Sequence, residues 1–309
     1  MLEYIHSSQQ EDDPLKDKRT LSYGMLISAM LIFGTIGIFR RYIPLSSGLL
    51  AFSRGLLGGL CLLAFTKFSG KATSQPIPRK KLLILILSGM IMGINWMLLF
   101  EAYNYTTVAT ATLCYYMEPT IIILLAPLLF KEKLGLKNAI CAVFAIVGMV
   151  LVSGMAEGGG IQAADLKGIL FGLGAACFYA GVIILNKIAA VDDAYQKTTI
   201  QLFSGAAVMI PYLLLTENFS GIALDGFSVV MLLVVCIVHT GFAYALYFGS
   251  MNALKAQSIA VLSYIDPVSA LILSALILHE SLTIFGLVGA VLIIGSALGS
   301  ELSFRKKSL

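Results

Sequence analysis

The stretch CYYMEPTIIILLAPLLFKEKL at residues 114–134 returns 148 positions later as LSYIDPVSALILSALILHESL at residues 262–282, and the reading of this pair decides the fold. Tyr116 aligns with Tyr264, Pro119 with Pro267, Glu132 with Glu280 and Leu134 with Leu282, while Glu118 meets Asp266, carboxylate against carboxylate. The match runs without gaps from Gly93–Ile146 against Gly241–Ile294, adding Phe100 with Phe248 and Asn104 with Asn252. A chain that repeats itself in this way contains two copies of one unit.

The solvent of that unit follows from composition. The 309 residues are 58% hydrophobic and 12% charged, against roughly 45–50% and 25% in soluble domains. A spanning helix takes about 20 apolar residues, and seven uncharged runs reach nineteen or more: 21–39, 82–100, 138–156, 168–186, 198–216, 226–254 and 281–300. Three further runs, 45–66, 107–130 and 256–278, each hold one charge, Arg54, Glu118 and Asp266. Ten spans divide into five per copy, and an odd number forces the second copy to insert upside down. The expected fold is an all-α membrane protein of ten transmembrane helices arranged as two inverted five-helix repeats. The expected boundaries are a cytoplasmic tail 1–20, a first repeat 21–156, an extracytoplasmic link 157–166, a second repeat 167–302 and a basic cytoplasmic end 303–309.

With both termini in the cytoplasm, the inside segments hold 17 of the 21 basic residues, as the positive-inside rule requires. Arg40, Arg41 and Lys167 fall outside. Glu132, between Lys131 and Lys133, is then expected in the cytoplasm, and its counterpart Glu280, after His279, outside. The polar first 20 residues lack the basic start and short apolar core of a cleaved signal, so the first span is expected to insert uncleaved.

Several functions are poorly served by this chain. The net charge of +4 is spread between spans rather than gathered in one basic stripe, so no nucleic-acid partner is expected. Cys61, Cys114, Cys141, Cys177 and Cys236 all fall within spans, where a thiol packs as a small apolar group. With only His6, His239 and His279 available, no metal cluster and no cofactor are expected. Gly158-Gly159-Gly160 has no Lys-Ser or Lys-Thr after it, which argues a flexible connector rather than a phosphate loop. An intramembrane enzyme on a lipid-like substrate and a non-concentrative channel remain alternatives to a carrier. The first lacks paired metal-binding histidines, and the second lacks a ring of polar pore residues.

A charge at the bilayer centre costs about 2.5–3.5 kcal/mol on insertion scales, so intramembrane ions face a cavity or one another. Glu118 and Asp266 fall near the midpoints of their spans. Either they line a cavity and bind cargo or exchange protons, or they stay neutral and hydrogen-bonded and fix the join between repeats. Tyr116 and Tyr264 stand two residues away, and Pro119 and Pro267 are expected to kink the two helices. Arg54 either pairs with a carboxylate of the protein or holds one on the cargo. His239 either shuttles protons or packs as a hydrogen-bonded histidine, with Tyr244 following in the same run. Asn95 and Trp96 are expected to face the cavity or a helix seam. Asn104 and Asn252 read as turn residues, and Glu101 as a weaker candidate near the outer end. Gly55 with Gly59, Gly168 with Gly172, and Gly295 with Gly299 read as close helix crossings.

The paired steps Tyr116-Met117-Glu118-Pro119 to Glu132 and Tyr264-Ile265-Asp266-Pro267 to Glu280 resemble the EamA family of the drug/metabolite transporter superfamily. Its half-repeats end in an aromatic-x-acidic-proline step, an apolar helix and a glutamate. The stretch Thr240–Phe248 is similar to the family's eighth span, and the likeness covers residues 21–302. The resemblance implies ten spans, a central cavity between the halves, and export of amino acids, related metabolites or drugs across the cell membrane. Partners so implied are a small-molecule solute and the lipid bilayer, with protons as candidate coupling ion; a homodimer is allowed but not implied. This chain departs from symmetry before Gly93, where the copies match poorly, and Arg54 has no basic counterpart in the seventh span.

Overall fold

In an apolar solvent a backbone must satisfy its own N–H and C=O groups, and long apolar runs do so as helices. The computed structural model describes residues 14–70, 76–130, 135–153, 163–219, 224–251, 254–281 and 283–301. Within them the chain runs through α1 (Pro14–Gly34), α2 (Ile36–Arg41), α3 (Ser47–Phe68), α4 (Arg79–Tyr105), α5 (Val108–Tyr115), α6 (Glu118–Phe130) and α7 (Leu136–Val152). It continues through α8 (Ala163–Ala189), α9 (Ala194–Thr216), α10 (Gly226–Leu233), a π-helical segment (Val234–Phe242), α11 (Ala243–Met251), α12 (Ala256–Ser263), α13 (Ile265–Ile277) and α14 (Ile284–Glu301).

Seven helical stretches, some of them running across a turn or a change of winding, are long and apolar enough to cross a membrane: Arg19–Arg41, Ser47–Phe68, Arg79–Tyr105, Val108–Leu125, Asp165–Ala189, Ala194–Thr216 and Gly226–Met251. Three shorter apolar helices, Leu136–Val152, Val261–Ile277 and Ile284–Ser300, occupy the remaining apolar runs. Lys131 to Leu134, Gly158 to Gly160, Asn252, Leu282, residues 1–13 and residues 302–309 lie outside the described residues. The expectations for Glu132, for the glycine connector and for the two tails therefore have no structural counterpart.

Side-chain caps set several helix starts, each supplying an acceptor to an amide the helix leaves unpaired. Ser46 accepts from Leu49 N, Thr107 from Thr110 N, Asp193 from Gln196 N and Asp225 from Ser228 N. The two acid-proline steps behave differently from a kinked helix. α5 ends at Tyr115 and α6 begins at Glu118; α12 ends at Ser263 and α13 begins at Ile265. Pro119 and Pro267 thus stand in the first turn of a new helix, where an amide would lack a partner and proline is tolerated. Each step is a break in the winding, with Tyr116 and Tyr264 at the break.

The packing follows an exchange of the two halves. α4 lies on α8 as α11 lies on α1; α5 lies on α8 as α12 lies on α1, and α6 on α8 as α13 on α1. The pairs α3 with α9 and α7 with α14 map onto themselves. Small residues let these crossings close. A Cβ on Gly93 would fall 2.5 Å from the Gly205 carbonyl oxygen, and one on Gly289 would fall 2.5 Å from that of Gly148. Of the three glycine pairs read from sequence, Gly55, Gly59 and Gly172 sit against neighbouring helices and Gly168 against Thr106 in the turn after α4, whereas Gly295 faces open space.

Candidate binding cavity

Between the halves lies a cavity of about 740 Å³, within the range of small-molecule sites. The first repeat supplies Arg54 from α3, Trp96 and Tyr103 from α4, Thr112 and Tyr115 from α5, Tyr116 at the break and Glu118 from α6. The second supplies Tyr179 from α8, Tyr244 and Tyr247 from α11, Tyr264 at its break and Asp266 from α13. Interrupting a helix at these two places frees backbone and side chains to turn inward without stranding polar groups in lipid.

The two breaks meet. Tyr116 donates its phenol proton to Asp266 Oδ2 at 2.7 Å, a bond from one repeat to the other. The rings of Tyr116 and Tyr264 lie 6.4 Å apart, and Tyr115 stands 5.9 Å from Tyr116 and 5.3 Å from Tyr179. On the opposite wall Tyr244 lies 5.4 Å from Phe33 and 5.7 Å from Phe248. The interior is thus walled by aromatic rings with a few polar groups set among them.

Arg54 is buried, with 5% of its surface exposed. Its Nε donates to Thr240 Oγ1 at 2.9 Å, and its guanidinium lies 4.1 Å from the Trp96 ring and 5.8 Å from that of Phe100. Trp96 and Phe100 are one turn apart on α4, so one face of that helix carries the cation. The side chain is held by a hydroxyl and two aromatic faces, not by a carboxylate, so of the two sequence readings the intramolecular ion pair is absent among the described residues.

Two sequence candidates are not brought to the cavity. Asn95 is fully buried in the seam between α4 and α8, where Nδ2 donates to the Ala175 carbonyl at 2.6 Å and Oδ1 has no partner. His239 lies on the π-helical segment, with its ring against Thr35 and α2. Its Nε2 is 2.7 Å from Thr35 Oγ1, its Nδ1 3.2 Å from the Val234 carbonyl, and its ring packs on Phe39. Glu118, Asp266, Tyr116, Tyr264, Trp96, Tyr244, Arg54 and Pro119 do line the cavity. Pro267 is buried behind Asp266 in the first turn of α13. Sequence reasoning passed over Tyr103, Tyr115 and Tyr179; the available signal was a phenol inside an apolar run, since its hydroxyl needs a partner there. Among the described residues no group of three His, Cys, Asp or Glu is placed to hold a metal.

A charged network joins α2, the end of α4, the start of α5 and the chain after α13. Glu280 accepts from Val108 N at 3.0 Å and Ala109 N at 3.3 Å, capping α5, and pairs with Arg41 at 3.2 Å. His279, in the left-handed region at φ 53°, turns the chain so that Glu280 reaches that helix end. Beside it Arg40 donates to the Ile43 carbonyl at 2.7 Å and to Asn104 Oδ1 at 3.2 Å, while Glu101 Oε2 accepts from Ser47 at 2.6 Å and Asn104 at 3.1 Å. Asn104 is therefore a network member as well as a residue near a helix end. The arginines that broke the positive-inside pattern have local partners.

These features define a helical membrane protein built from two copies of one unit around an aromatic cavity with buried charge. The known proteins it is similar to narrow the class. An uncharacterized transporter of Bacillus subtilis strain 168, YxxF, is 29% identical over 283 residues, covering 90% of this chain and 88% of the relative. An uncharacterized transporter of Archaeoglobus fulgidus is 26% identical, covering 91% and 97%. Solute carrier family 35 member G1 of Homo sapiens is 24% identical, covering 73% and 64%. A crystal structure 21% identical in sequence shares the fold, with a TM-score of 0.64 over 92% of this chain and 98% of that one. Residues 20–154 and 166–301 each match the EamA-like transporter family, and the chain belongs to that family.

Proposed function

We propose that this protein is a secondary transporter that exports a small organic solute from the cytoplasm across the cell membrane by alternating access. In this reading ten spans form two inverted five-helix repeats, with boundaries near 21–156 and 167–302 and both termini cytoplasmic. The halves rock about the cavity, and Glu118 and Asp266 bind cargo or exchange protons near its centre.

The observation that carries the reading is the hydrogen bond from Tyr116 to Asp266, which joins the two broken helices inside a cavity of about 740 Å³. A site shared by two related halves is exposed to one side or the other as they tilt. In the proposed topology the Glu280 network closes the outer end. The cavity lining reaches Met251 and Ile259, which flank the cytoplasmic turn between α11 and α12. This supports an inward-facing state, ready to load from the cytoplasm.

The test is flux in reconstituted vesicles against labelled amino acids, nucleosides and amphipathic cations, with and without a pH gradient. A gradient-dependent signal for one class that disappears in the Glu118→Gln/Asp266→Asn double variant is expected. Undiminished flux in a double variant that inserts normally removes both carboxyls from the mechanism. Flux that ignores the gradient makes the protein a facilitator.

A further inference from the structure

The cargo class can be narrowed, on the reading that the cavity is the solute site. Arg54 lines the cavity and makes its hydrogen bond through Nε, to Thr240 Oγ1, with no protein partner at either Nη among the described residues. It is the one cationic side chain among the described lining residues. Burying a guanidinium with the outer fork unused is costly unless something else completes it.

The π-helical segment explains why the fork points inward. A π turn takes one residue more than an α turn and is found mostly at functional sites. Here Thr240 Oγ1 donates to the Val235 carbonyl, five residues back, at 3.1 Å, and so presents its lone pairs to Arg54 Nε. Gly58, one turn from Arg54 on α3, permits the approach: a Cβ there would fall 2.5 Å from Thr240 Cγ2. Trp96 covers one face of the guanidinium at 4.1 Å and blocks that direction. The Nη1/Nη2 edge is left without a hydrogen bond from the protein, and its spacing matches the two oxygens of a carboxylate.

We infer that Arg54 is the cargo-binding residue for a carboxylate, that Thr240 on the π-helical segment is its positioning residue, and that the cargo is an organic monocarboxylate with an aromatic or apolar body. Glu118 and Asp266 share the cavity with this single cation, so a multiply charged phosphate would meet two acids and is disfavoured. The tyrosine walls suit a flat apolar body, and an amino group on the cargo would find acceptors at the acids.

Trp96 is the only tryptophan of the chain and stacks on the group in question, so its emission reports occupancy. The full chain in phospholipid nanodiscs is titrated with phenylacetate, phenylacetamide and phenethylamine, which share a body and differ in charge, and with phenylalanine. Excitation is at the red edge, where tyrosine does not absorb. Phenylacetate is expected to give a saturable change that the amide and amine do not. Thr240→Val should weaken it about tenfold, Thr240→Ser should restore it, and Arg54→Lys, which keeps charge but not the fork, should weaken it at least as much as Thr240→Val. The inference is overturned by equal phenylacetate binding in Thr240→Val and Arg54→Lys, by preference for phenethylamine, or by no saturable response to any probe up to about 20 mM. Preference for the amine would leave the transporter reading intact with a cationic cargo; that reading fails separately, by absence of flux.

Discussion

In the proposed topology, removing Glu280 should unlatch the outer end of the cavity. Its carboxylate accepts two α5 amides at 3.0 and 3.3 Å, and hydrogen bonds to a charged group contribute about 1.5–3 kcal/mol each. Arg41 is 37% exposed at its side chain, so solvent screening leaves that ion pair at about 0–1 kcal/mol. Water re-solvates the amides when the end opens, which leaves about 2–3 kcal/mol as the difference between closed and open forms. Glu280→Ala should therefore raise the outward-open population about 30- to 150-fold. The assay uses Thr112→Cys, a buried position lining the cavity, in a background with the five native cysteines replaced. A membrane-impermeant maleimide is applied from outside. Labelling should quicken by that factor in Glu280→Ala and by less in Glu280→Gln, which keeps one acceptor. Rates that agree within about twofold, in variants that insert equally, would refute the latch.

Other consequences follow from packing and backbone. Gly148→Leu places a side chain where even a Cβ meets the Gly289 carbonyl at 2.7 Å; overpacking of about 1–3 kcal/mol or more should lower the thermal midpoint, while Gly295→Leu, with open space around it, should not. His279→Gly relieves a left-handed φ of 53° at an exposed residue and should stabilise by about 0.5–1 kcal/mol, read as a raised midpoint. The Asp225 carboxyl is held below its ordinary 3.8 by its bonds to Ser228. Its capping contribution is therefore complete above pH 3.8 and lost as pH falls through the lower folded value. Asp225→Asn caps at every pH, so the wild-type advantage over it should shrink on acidification; a constant difference would show that the carboxylate charge is irrelevant there.

The repeat was legible because its strongest marks are chemical. An acid followed by proline inside an apolar run is rare, and its recurrence at Glu118 and Asp266 identified the two breaks and much of the cavity. What stayed hidden was rotation about helix axes. Asn95 and Trp96 are neighbours in sequence, yet about 100° of winding sends one into the α8 seam and the other into the cavity. The π-helical segment carries no compositional signature, and its extra residue per turn changes the phase on either side, so the two readings of His239 stayed open and Thr240 entered only as the start of a family-like stretch. Arg40 and Arg41 were read only as topology exceptions, because their partners Asn104 and Glu280 are 64 and 239 residues away. The prolines announced a disturbance, but whether a helix bends or restarts depends on how many residues leave the winding before it.

Alternating access is tested most directly by counterflow in vesicles containing the purified chain and any solute found to cross. Vesicles preloaded with unlabelled solute should take up the labelled form several times faster than empty ones, because a carrier returns its site faster when loaded, and Glu280→Ala should change that ratio. Uptake indifferent to solute on the far side would mean an open path through the membrane and would contradict the account.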